Sequence, residues 1–156
     1  MKIKQYAEYL PYVIFIVALL STLISLSLSE IFHFTPCVLC WYQRICMYPL
    51  VVISVVGIIR KHLDDLVYYV LPLSIIGFIL ALYQNLLIWG VLSEAVAPCT
   101  AGVSCIKQPV VLYGFLTVPL GSMISFAGIT LFVLLYAKLR MKKAEPVKAI
   151  RKEKKK

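Results

Sequence analysis

The sequence predicts an all-α integral membrane protein, a four-transmembrane-helix bundle with two short extracytoplasmic loops. Composition, run length and charge placement each lead there. The chain is 62% hydrophobic and 15% charged, whereas about a quarter of a soluble domain is charged. Its mean hydropathy is +0.91. Four runs approach or reach the roughly 20 apolar residues that a spanning helix needs: 9–28, 41–59, 66–89 and 118–137. Nothing between them is long or polar enough to make a soluble domain, so residues 1–137 form one membrane unit, followed by a basic tail, 138–156.

The first run, 9–28, carries no charge. It is longer than the 7–15 residues of a secretory h-region and no small-x-small cleavage site follows it, so it reads as a retained helix. The second run holds a single charge, Arg44, and the third and fourth hold none. An even number of spans puts both termini on one side, and short-loop lysine and arginine say which. Lys2 and Lys4, Arg60 and Lys61, and ten basic residues from Lys138 onward make fourteen of the sixteen, all on one proposed side. That side is therefore expected to be cytoplasmic. The tail accounts for most of the net charge of +9 and reads as a solvated segment touching anionic lipid. No interleaved aromatic residues accompany it to suggest nucleic-acid binding.

The opposite face carries the loops 29–40 and 90–117, with four of the five cysteines: Cys37, Cys40, Cys99 and Cys105. An oxidising compartment allows such thiols to pair. Cys46 lies inside the second run and reads as a buried spare thiol. In TPCVLCWYQR, residues 35–44, the C-x-x-C pair stands at a predicted helix start, with Thr35 suited to cap it and Pro36 to its first turn. Free amides and the helix dipole favour a thiolate there, the form that attacks disulfides. Arg44 falls one turn beyond Cys40 on the same face. It is either a side chain snorkelling to outer headgroups or a guanidinium holding thiolate charge or a ligand carbonyl. Tyr83, Gln84 and Asn85 lie at similar depth in the third run, where they either line one pocket with Arg44 or make ordinary interhelical hydrogen bonds. Cys99 and Cys105 sit among Pro98, Gly102 and Pro109, without a helix end to activate them. A loop disulfide of this kind is either a staple or a target for another protein's thiolate.

Cys37-Val-Leu-Cys40-Trp-Tyr-Gln-Arg44, the four spans and the second cysteine pair together resemble the DsbB family of membrane disulfide oxidases. The short C-x5-C loop is similar to the BdbC-like branch. The resemblance implies a protein dithiol:quinone oxidoreductase of the cell membrane. It would reoxidise an extracytoplasmic thioredoxin-fold thiol oxidase (DsbA- or BdbD-like) and pass the electrons to menaquinone or ubiquinone in the bilayer. Carried over by position, Cys99 would form the mixed disulfide with the partner, Cys105 would exchange with Cys37, and Cys40 would meet the quinone. Arg44 matches the family's quinone-side arginine, and Asn85 occupies the position where some members place a quinone-contacting histidine. A strongly oxidising partner near about −120 mV stands about 80 mV, or roughly 3.7 kcal/mol for two electrons, above a glutathione pool near about −200 mV, so a respiratory acceptor is the fitting sink.

Three rivals compete with this reading. A vitamin-K-epoxide-reductase-like protein would carry its C-x-x-C late in the chain rather than opening the second span. A tetrahedral thiolate metal site would favour two tight pairs over C-x5-C, and a tetraspan protein with structural disulfides would have no redox role for Cys40. If the oxidase reading holds, serine at Cys37, Cys40, Cys99 or Cys105 abolishes turnover and serine at Cys46 does not. Loss of activity in Cys46→Ser with activity retained in Cys99→Ser would overturn it.

Overall fold

The computed structural model describes residues 2–60, 63–92, 111–113 and 116–153. Four helices dominate: α1 (Lys2–Glu30), α2 (Val38–Arg60), α3 (Leu63–Ile88) and α4 (Val118–Glu153). A two-stranded antiparallel ribbon, β1 (Val111–Tyr113) and β2 (Leu116–Thr117), leads directly into α4. The portions long and apolar enough to cross a membrane are Tyr9–Glu30, Val38–Arg60, Leu66–Ile88 and Val118–Lys138. The chain is thus a multi-pass helical membrane protein, as its composition predicts. The helices close into a ring in which α1 and α3 each pack against both α2 and α4.

The bundle is apolar both inside and out. Leu10, Ile14 and Ala18 of α1 recur every four residues and are buried. Phe126, Ile129, Val133 and Tyr136 of α4 keep the same helical period. The outward faces present Ile16, Leu20, Val52, Ile79 and Leu131, side chains that suit lipid and that a soluble monomer would not expose in such a continuous band. Because lipid tails are as apolar as leucine, small residues and polar contacts do much of the work between helices. Ser54 and Ser74 are fully buried and return their hydroxyls to the carbonyls of Leu50 and Leu71. Ser21 of α1 donates to Ser125 of α4 at 3.1 Å. Gly77 lets α3 approach α4 so closely that the Phe126 ring occupies the space a Cβ would need.

The helix ends follow local chemistry. α3 finishes in a Schellman motif: Gly90 N–H donates to Leu87 O at 3.1 Å and Val91 N–H to Leu86 O at 3.0 Å. Gly90 supplies the positive φ of 72° that this closure requires. α4 begins with Pro119 in its first turn, where a missing N–H removes no helical bond. At its other end it does not stop with the apolar run at residue 137 but continues to Glu153. Lys, Arg, Met, Ala and Glu over that stretch are strong helix formers, so the tail read as a solvated segment is largely helical.

Gly77→Ala should destabilise the bundle by about 1–3 kcal/mol through overpacking against Phe126. Gly128→Ala, where an added Cβ meets nothing within 4 Å, should be neutral or slightly stabilising. Unfolding in detergent titrated with SDS compares the two, and equal effects would contradict this packing.

Candidate functional site

Cys37 stands immediately before α2, and its carbonyl accepts the Trp41 N–H at 3.1 Å. It therefore takes the capping position, which corrects the expectation that Thr35 caps the helix with Pro36 in its first turn. The reason is in the sulfur: the backbone N–H groups of Leu39 and Cys40, the second and third of the helix, reach Cys37 Sγ, so the thiol acts as the capping side chain. Cys40 lies within the first turn. The two sulfurs are 3.0 Å apart and in hydrogen-bonding contact, so little movement separates this arrangement from a disulfide. Leu39 and Leu87 pack around the pair and leave Cys37 buried. Its thiol is held above the ordinary range, first by the hydrogen bond with Cys40 and then by burial, against the pull of the two backbone amides.

The buried side chain of Gln84 reaches both sulfurs from α3. Its Nε2 donates to Cys37 Sγ at 3.3 Å and to Cys40 Sγ at 3.4 Å. Its Oε1 accepts from Gln43 Nε2 at 2.7 Å, and Gln43 Oε1 in turn accepts from the Ser122 hydroxyl at 2.6 Å. Three helices thus meet the cysteine pair through one line of side chains.

Arg44 is buried at 8% exposure and does not extend freely toward an outer surface. Its Nε donates to Ser25 Oγ at 2.9 Å, and its Nη2 to Ser25 O at 2.7 Å and Ser29 Oγ at 2.9 Å. The guanidinium also lies 5.3 Å from the centroid of the Trp41 ring. Three of five N–H groups are used in this way. Among the described residues, nothing hydrogen-bonds to the pair on Nη1. Beside Arg44 opens a cavity of about 190 Å³ bounded by α1, α2 and α4, with Cys40, Arg44, Thr22, Met47, Pro119 and Phe126 in its wall. The Thr22 hydroxyl is buried there with no partner among the described residues.

Of the two readings open for Gln84 and Asn85, one pocket with Arg44 or ordinary interhelical hydrogen bonds, their contacts fit the second. Gln84 lies against the sulfurs, and the cavity by Arg44 is walled by α1 and α4 instead of α3. Asn85 is fully buried, its Nδ2 donating to Ala81 O at 2.7 Å and Pro119 O at 3.0 Å, and it does not line the cavity. Cys46 is a buried free thiol away from the pair. Cys99 and Cys105 lie outside the described residues. Sequence reasoning passed over Thr22, Ser25, Ser29, Gln43 and Ser122. The signal for the first helix was present: Ser21, Ser25 and Ser29 recur every four residues in a segment that otherwise faces lipid, and intramembrane polar groups turn toward the bundle.

A four-span helical bundle with two thiols at a helix start, flanked by a cavity with a buried arginine in its wall, defines a membrane protein suited to thiol–disulfide chemistry. Comparison with known proteins makes the class specific. The sequence model of the family described as Disulfide bond formation protein DsbB matches residues 7–136. The SPbeta prophage-derived disulfide bond formation protein B of Bacillus subtilis (strain 168) is 42% identical over 124 residues, 79% of this chain and 82% of that one. Disulfide bond formation protein C of the same organism is 42% identical over 125 residues, covering 80% and 89%. A probable disulfide formation protein of Chlamydia trachomatis serovar D is 36% identical over 136 residues, covering 87% and 98%. No solved structure matches the chain significantly. The chain belongs to the DsbB family of disulfide bond formation proteins.

With its thiol held up, Cys37 should keep its proton as the pH rises through the ordinary thiol range, so raising the pH from about 7 to about 9 should not speed its alkylation as it would a free cysteine. Cys40, at the cavity wall, should be labelled first. Timed iodoacetamide labelling of the reduced protein with peptide mapping reads each thiol, and faster labelling of Cys37 would contradict the geometry.

Proposed function

We propose that this chain takes electrons from an extracytoplasmic thioredoxin-fold thiol oxidase and delivers them, through two cysteine pairs, to a membrane quinone. Cys40 carries the proposal. It touches Cys37 and Gln84 on one side and forms part of the cavity wall with Arg44 on the other, so one sulfur stands between Cys37 and the acceptor space. The two relatives from Bacillus subtilis are named for disulfide bond formation, in keeping with this chemistry.

The cavity suits the acceptor. About 150 Å³ is enough to hold benzene, so about 190 Å³ admits a substituted ring, and its apolar walls suit a lipid-soluble one. The Nη1 donors of Arg44 and the Thr22 hydroxyl, which have no partner among the described residues, are the groups that would hold a ring carbonyl. A quinone bound there would supply a two-electron, two-proton acceptor for the Cys37–Cys40 dithiol. Asn85 acts in this reading as a positioning residue, since its amide fixes Pro119, part of the cavity wall. Cys99 and Cys105 receive the electrons first, with Cys99 in the mixed disulfide and Cys105 exchanging with Cys37. The bias of basic residues supports cytoplasmic termini with both cysteine pairs outside.

The decisive experiment is quinone reduction by purified protein supplied with a reduced thioredoxin-fold oxidase, wild type against Cys40→Ser. Turnover that vanishes in the variant is expected, and no turnover in wild type would overturn the proposal. In the same assay Arg44→Ala should raise the apparent KM for quinone about 10- to 100-fold, the worth of hydrogen bonds from a charged group, and Thr22→Val about 2- to 10-fold, that of a neutral one. Neither should change kcat comparably. An unchanged KM in both would remove the cavity from the reaction.

A further inference from the structure

We propose that Gln84 is a catalytic residue of the Cys37–Cys40 pair, making its disulfide easier to reduce by donating N–H to the charge that appears on the sulfurs, and that Gln43 and Ser122 are positioning residues that fix the direction of that amide. The inference rests on the reading that this pair cycles between disulfide and dithiol.

Gln84 Nε2 lies 3.3 Å from Cys37 Sγ and 3.4 Å from Cys40 Sγ, and the side chain is 2% exposed. When an incoming thiolate attacks Cys37 Sγ, a new S–S bond forms at Cys37, the Cys37–Cys40 bond breaks, and the electron pair leaves on Cys40 Sγ. Disulfide sulfurs are weak acceptors, whereas a thiolate is a strong one. The Gln84 N–H bonds therefore stabilise the reduced pair more than the oxidised pair, and water is not at hand to substitute for them. Stabilising the reduced form is what makes a dithiol couple oxidising.

A glutamine can present either end of its amide, and a carbonyl aimed at a thiolate would oppose reduction. Here the direction is set from two helices away. Gln43 Nε2 donates to Gln84 Oε1 at 2.7 Å and so keeps that oxygen the farther end of the amide, 3.9 Å from Cys40 Sγ, while Nε2 lies at 3.3 and 3.4 Å from the two sulfurs. Gln43 is itself buried, and its own Oε1 accepts from Ser122, whose hydroxyl lies between Gln43 Oε1 at 2.6 Å and Pro119 O at 2.9 Å. The polarity passes from α4 through α2 to α3 and ends on the cysteines. Such hydrogen-bonded chains polarise one another in a low dielectric.

The test is a redox titration of the full-length protein in dithiothreitol buffers, with differential alkylation and peptide mapping to read Cys37 and Cys40 apart from the other thiols. Gln84→Leu should shift the equilibrium about tenfold toward the disulfide, equivalent to about 30 mV more negative for two electrons. Ser122→Ala should shift it in the same direction by a smaller factor, and Ser125→Ala, whose hydroxyl serves Gly121 O and Ser21, should not. Wild-type equilibria in both Gln84→Leu and Ser122→Ala would overturn the inference. If Gln84→Leu does not fold, an unshifted Ser122→Ala overturns it alone. The buffers contain neither partner oxidase nor quinone, so a shifted equilibrium in a protein that fails to reduce quinone would sink the proposed electron path and leave the role of Gln84 standing.

Discussion

A buried guanidinium among membrane-spanning helices is the constraint around which the site is arranged. An unpaired charge at this depth costs several kcal/mol, and lipid offers it no hydrogen bonds. α1 meets that demand with Ser25 and Ser29, one turn apart, which take three of the arginine's N–H groups between them. The clasp fixes α1 against α2 at the level of the cysteines. It also holds the arginine in the wall of a cavity that α4 closes. Without Arg44 the serines would have only their own helix carbonyls to bond. Without the serines the arginine would be drawn out toward headgroups and the cavity would lose its charged wall.

The same economy of polar groups accounts for the other half of the site. Gln43, Gln84, Asn85 and Ser122 are polar side chains in an apolar bundle, and each finds its partner on another helix. One carbonyl group marks where this matching converges. Pro119 O receives both Asn85 Nδ2 and the Ser122 hydroxyl, so the start of α4 is tied to α3 just where it faces the cavity. The cysteine cluster and the cavity share this scaffold and meet at Cys40 and Gln43.

Much of the fold was legible in the sequence because lipid imposes a crude rule: uncharged runs of sufficient length must span. All four spans, and Cys37 and Cys40 at the start of the second, follow from it. The helix ends were less legible. Thr35-Pro36 is a good start signal by residue preference, yet the sulfur of Cys37 takes the capping role two residues further on, accepting from the amides of Leu39 and Cys40. Within the site, the cysteines and Arg44 announce themselves by type and spacing, whereas their partners do not. Gln84 and Asn85 are adjacent and equally polar, and periodicity alone cannot say which meets the sulfurs and which the backbone of α4. The Ser21, Ser25 and Ser29 stripe was readable but is easily passed over, since serine satisfies itself within a helix. Gln43 lies beside Arg44 in sequence, and its link to Ser122 spans 79 positions, a pairing that only tertiary packing creates.

The position of Cys40 explains why the two halves must be distinct. Thiol exchange needs a polar, donor-rich setting in which a leaving thiolate is tolerated, and Gln84 with the first-turn amides supplies one. A lipid-soluble acceptor needs apolar walls and a few directed donors, which Met47, Phe126, Thr22 and Arg44 supply. A single environment would serve one task poorly: a wet, polar pocket would exclude the ring, and a wholly apolar one would resist charge on sulfur. Placing Cys37 just outside α2 and Cys40 inside its first turn sets the two sulfurs across that boundary. On the proposed electron path, the 3.0 Å between them is the step that links the thiol-exchange side to the acceptor side.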